Sequence, residues 1–123
     1  LSHHLAEIPD WVSASVEQDE LDFATFNYVP IEETTTEALV KVFDEKVKKA
    51  VECLKNASDE KLSGNWTMRN GEKVYFTMPK TAVIRYFVLN HAVHHSGQLS
   101  VYMRKLDVPL PSVYGPTADE PEM

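Results

Sequence analysis

The chain has 123 residues, with 12 basic against 19 acidic side chains and a formal charge of −7 at pH 7. That field repels phosphate backbones and anionic bilayers, which argues against nucleic acid or a membrane surface as a partner. Cys53 stands alone, so an intrachain disulfide framework is excluded and a reducing, cytoplasmic setting is expected; no apolar run approaches the roughly 20 residues that cross a bilayer, and the length suits a single domain over residues 1–123.

Leu1, Leu5, Ile8, Val12 and Val16 fall within one ~80° arc at helical spacing, which predicts an amphipathic helix over about 1–20 with a kink at Pro9. Because the opening LSHHLAEIPDW is already in helical phase, an upstream helix is expected to precede it. DELDFATFNYVPIEETTT loses the period and reads as a long loop ending in threonines that can cap the next helix. That second helix is predicted over about 37–56, where Leu39, Phe43, Val47, Ala50 and Leu54 repeat while the lysines lie elsewhere. NWTMRNGEKVYFTMP then sets β-forming residues about Asn70-Gly71, a hairpin signal near 64–78. Pro79 suits the first turn of a third helix over about 80–106, and the proline-rich tail VPLPSVYGPTADEPEM is expected to be an extended strap or mobile. Long amphipathic helices with long connections make an antiparallel bundle the leading, all-α fold; three helices close a core less well than four.

HAVHHSGQ places three of the five histidines within five positions of the third helix. Projected at ~100° per residue, Ile84, Val88, Ala92, Leu99, Tyr102, Met103 and Leu106 form one apolar face, with His95 near its middle, His91 at its edge and His94 on another side. An i, i+4 pair can share one metal ion, but a mononuclear site needs a third ligand. On the first helix His4 flanks the apolar arc while His3 points away, so the faces select His4, His91 and His95. The competing reading is a set of hydrogen-bonded core histidines.

Glu7 and Gln98 are candidates to orient imidazole rings, and a solvated face would explain them equally. Trp11, one heptad after His4, and Tyr102, seven residues after His95, would lie on the ligands' sides and could line an open coordination position, or serve as ordinary core aromatics. Val83, Phe87, Asn90, His94, Gly97 and Val101 repeat at 4, 3, 4, 3 and 4, a second seam expected to pack on another helix or on a second copy across a two-fold axis. Cys53 lies beside the central stripe of its helix and reads as a small buried hydrophobe.

LSHHLAEIPDW, NWTMRNG, FTMP and the run VLNHAVHHSGQLSVYMRKLDVPLPSVYGPTADE together resemble the DinB family of DinB/YfiT-like metalloproteins, in order and over nearly the whole chain. The resemblance implies a four-helix bundle, often dimeric, whose first helix lies upstream of Leu1. It also implies one divalent metal held by His4, His91 and His95, with zinc or nickel foremost and iron or manganese as further candidates. Three imidazoles leave a position open for water or substrate, so the expected functions are a thiol-dependent transferase, a metal-dependent hydrolase, or a non-catalytic, stress-related metal binder. Thiol transferases and a thiol-dependent isomerase share this fold, which favours a low-molecular-weight thiol as co-substrate. HAVHHSGQ holds no carboxylate placed like the Glu of HExxH, so protease-like base catalysis is not indicated.

Overall fold

The computed structural model describes residues 1–122. In place of one kinked helix, the first apolar period makes two: α1 (Ser2–Glu7) and α2 (Asp10–Glu17). Pro9 stands at the N-cap of α2 with helical angles, where its missing N–H is no loss, and the chain bends there instead of continuing α1. The expected loop contains a short strand, β1 (Glu20–Asp22), before α3 (Thr36–Asn56), which Thr35 caps by accepting the Ala38 N–H at 3.3 Å. A further short helix, α4 (Asp59–Ser63), starts at Ser58, whose hydroxyl accepts from the Lys61 N–H.

The hairpin is present as β2 (Asn65–Asn70) and β3 (Lys73–Pro79), antiparallel, with β1 added in parallel to β2 to give the order β1-β2-β3. Asn70 pairs with Lys73, so the turn is centred on Gly71-Glu72, one residue later than Asn70-Gly71. Gly71 has φ of 59° while Glu72 does not enter the left-handed region, the pattern of a type II′ turn with glycine at its first central position.

The third predicted helix is a continuous helical run in three parts: α5 (Lys80–Val83), a π-helical segment (Ile84–Asn90) and α6 (His91–Lys105). After α6, Asp107 takes φ of 55° and the Val108 N–H returns to the Met103 carbonyl, a left-handed stop to the helix. As far as Glu122 the tail is non-helical, and it folds back on α6 through the Arg104–Asp119 ion pair, with Asp119 also accepting the Leu110 N–H.

The expectation of a helical fold with a hairpin near 64–78 holds in part, and a four-helix bundle is not seen among the described residues. The described residues form helices against a three-stranded sheet, because the segment around the hairpin carries alternating inward residues, Trp66 and Met68, that join Leu21 and Val83 in one of the two core clusters. Leu21, Trp66, Met68 and Val83 make one buried cluster, flanked by Trp11, Phe76 and Phe87; Val12, Val16 and Ala50 make another, flanked by Cys53, Ile84 and Val88. The helical run lies between them, sending Val83 and Phe87 to the sheet and Ile84 and Val88 to α2 and α3. Trp66 donates its indole N–H to the Ala14 carbonyl at 3.1 Å, and fully buried Lys80 donates to the Val16 and Gln18 carbonyls and pairs with Asp19. These bonds tie both ends of the hairpin to α2 and fix where the next helix begins.

Candidate metal centre

Two elements far apart in sequence bring the histidines together. The bend at Pro9 lets α1 lie against both α3 and α6, carrying His4 to the first turn of α6. The π segment does the rest. Its i→i+5 bonding fits an extra residue into a turn, so the helix after it is rotated relative to a uniform 100° projection. Phe87 and His91, four apart, straddle its end, and His95 follows one α-helical turn later.

The ring centroids of His4, His91 and His95 stand 4.8, 4.6 and 4.6 Å apart, and one nitrogen from each lies within 4.8 Å of the other two. Two of their outer nitrogens are hydrogen-bonded. His91 Nδ1 contacts the Phe87 carbonyl at 3.3 Å, and since a carbonyl only accepts, that nitrogen carries the proton. His95 Nδ1 meets Gln98 Oε1 at 2.7 Å, again a donor facing an acceptor. His4 Nδ1 faces Glu7 Oε2 at 4.0 Å. In His91 and His95 the proton so held leaves Nε2 as a lone pair, and His4 Nε2 lies at hydrogen-bond distance, 3.0 Å, from His91 Nε2. Three imidazoles that each offer a nitrogen within 4.8 Å of the others, two of them oriented through Nδ1, are a donor set that fits a divalent metal ion.

Burial pushes the His91 pKa down, with the neighbouring His4, His95 and His94 imidazoles acting in the same direction against the Phe87 hydrogen bond. Neutral imidazole is the form that ligates.

His94 is exposed and stacks edge-on against His95 without sharing the convergence point. His3 is directed to the Glu33 carbonyl at 2.7 Å. Gln98 orients His95, as above. Trp11 packs between Trp66 and Phe87 and also lines a cavity beside His4. Tyr102 is 59% exposed and is not among the residues that line the cavity beside His4. Of the second seam, Val83 and Phe87 are taken up by this chain's own core, while His94, Gly97 and Val101 are exposed. Cys53 is half-buried with its thiol pKa raised, first by burial and then by Glu17, an unreactive setting. Composition and spacing gave no sign of Tyr28, whose hydroxyl donates to Glu7 Oε1 at 2.6 Å across 21 residues.

The profile of the DinB family matches residues 1–123. The uncharacterized protein YrdA of Bacillus subtilis (strain 168) is 33% identical over 69 residues, which cover 53% of this chain and 41% of that protein's own length. No solved structure matches.

Proposed function

The chain belongs to the DinB family, and from that premise we propose that it is a metal-dependent enzyme acting on a small molecule, with a low-molecular-weight thiol as its co-substrate. His4, His91 and His95 would hold one divalent transition ion, zinc or nickel foremost, and leave a coordination position open. The observation that supports this reading is the convergence of three imidazoles, two of which, His91 and His95, have their outer nitrogens engaged by the Phe87 carbonyl and Gln98. Bound there, the ion would supply Lewis acidity and lower the pKa of a coordinated thiol or water.

The chain's own residues supply orientation. The Phe87 carbonyl and Gln98 amide oxygen hold the rings with Nε2 inward, which keeps the ligands in place before the ion arrives. Among the described residues no carboxylate groups with the three imidazoles, and Glu7 lies on the outer side of the His4 ring. A water-activating base is thus not at hand, which favours thiol chemistry over hydrolysis. The exposed strip of His94, Gly97 and Val101 is proposed to pair two copies; a sedimenting monomer at micromolar concentration would end that part of the reading.

Elemental analysis of protein purified without an affinity tag should find close to one equivalent of transition metal, or uptake on titration. Less than about a tenth of an equivalent with no uptake refutes the proposal. His95→Ala should abolish uptake and His94→Ala should leave it intact. With cobalt as the probe, added thiol should shift the visible spectrum; an unshifted spectrum would support a hydrolytic or purely binding role instead.

A further inference from the structure

A cavity of about 900 Å³ opens directly beside His4. Its inner wall is Trp11 and Leu21, its outer wall the irregular segment carrying Phe26, Tyr28 and Ile31, and its floor Val42 of α3. This volume is in the range that encloses a small organic ligand, and its lining is mainly apolar, as such sites are.

The segment is fastened rather than loose. Tyr28 donates to Glu7, His3 contacts the Glu33 carbonyl, and the Phe26 N–H returns to the Asp22 carbonyl at 2.9 Å. Yet Phe23, Phe26 and Tyr28 are 43, 49 and 57% exposed, three aromatic rings in one stretch held with large apolar surface in water. A flat ligand between this wall and Trp11 would cover part of that surface.

The charges on the wall select the ligand's head group. Lys46 is paired with Asp10, which cancels the cavity's one cation against one anion. Glu7 and Glu33 remain, and the Glu7 side chain is only 20% exposed, with one carboxylate oxygen taken by Tyr28 and the other free apart from His4 at 4.0 Å. A partly desolvated carboxylate among aromatic rings favours an ammonium group, through a charge-assisted hydrogen bond and through cation–π contact.

We propose that this cavity is a substrate subsite for an aromatic or similarly flat apolar amine, whose ring lies between Trp11 and Phe26 and whose ammonium group is held by Glu7 and Glu33. That the amine is a substrate rests on the metal-enzyme reading above, since the cavity adjoins His4; the binding itself does not.

The test compares tryptamine with its neutral isostere tryptophol by calorimetry, on the protein as purified and on its variants. Tryptamine should bind at least about fivefold more tightly than tryptophol. Glu7→Gln, which keeps an oxygen for Tyr28, combined with Glu33→Gln should reduce that preference to less than about twofold. Phe26→Ala should weaken both ligands alike. His95→Ala should lose metal and keep the preference, so that failure of the metal reading and failure of the amine subsite are seen separately. Equal affinity for the two ligands, saturation by neither in the low millimolar range, or a preference that survives loss of both carboxylates overturns the proposal.

Discussion

Lys80–Asn90 and His91–Lys105 form one helical run, and its two halves are built differently. The first half holds Val83 and Lys80 fully buried, with Phe87 packed on the sheet and Val88 on α2 and α3. In the second half no residue of α6 is buried, and Val93, Val101 and Tyr102 are each more than half exposed. Burial is concentrated in the first half. His91 and His95, which converge with His4 of α1, sit at the start of the second, and that separation from the buried clusters supports the proposed site.

Substitutions can break this comparison. The largest effect is expected at Trp66, which is fully buried and donates to Ala14. Trp66→Ala should cost ~3–5 kcal/mol in chemical denaturation. A loss below about 1 kcal/mol would mean that the sheet is not the core. Lys80→Met comes next. It leaves the Val16 and Gln18 carbonyls without their donor, while Asp19, whose side chain is 89% exposed, can return to water. The expected loss is therefore ~2 kcal/mol, below that of a fully buried ion pair.

Gln98→Ala should sharpen the contrast from the other side. It frees the His95 ring without removing buried apolar surface, so metal affinity should fall ~10–100-fold while metal-free stability changes by less than about 0.5 kcal/mol. Metal titration followed by denaturation of the same protein reads both quantities. If the metal-free variant loses as much stability as Lys80→Met, the two halves are not distinct.

What could be read from the sequence follows the same division. The α3 and α6 helices, the hairpin and the three convergent histidines all come from strong periods or a strong turn signal. The sheet's third strand did not. β1 has three residues, too few to show alternation, and it is held by pairing to β2 across more than forty residues of chain. Lys80 carries no sign of burial in its own neighbourhood, because its three acceptors come from the end of α2 and the residues after it. The π segment defeats projection at a fixed angle: of the residues assigned to a seam for another helix or a second copy, Val83 and Phe87 face the sheet, while His94, Gly97 and Val101 beyond the segment stay exposed. The relation between His91 and His95 is untouched by it, because both follow the segment and their mutual phase is that of an α-helix. The cavity wall was missed since Phe23, Phe26 and Tyr28 share no period and become one surface only when Glu7 fixes Tyr28.

The smallest expected effect concerns acid. The Asp22 pKa is lowered by the Gly71 and Ala24 N–H groups and then by Arg69, joining β1 to the hairpin turn; that of Asp119 is lowered by the Leu110 N–H and Arg104, joining the tail to α6. Both folded values lie below the unfolded one near 3.8, so each carboxylate's contribution is present above that pH and disappears as pH falls through the folded value. Asp22 is the more enclosed, with a side chain 11% exposed against 28% for Asp119, and it joins the more buried half. Asp22→Asn should therefore flatten the acid limb of a stability profile between about pH 5 and 2, while Asp119→Asn should scarcely change it. A larger change from Asp119→Asn would place part of the folding cooperativity in α6 and its tail, and the separation between a stabilising half and a chemical half would no longer hold.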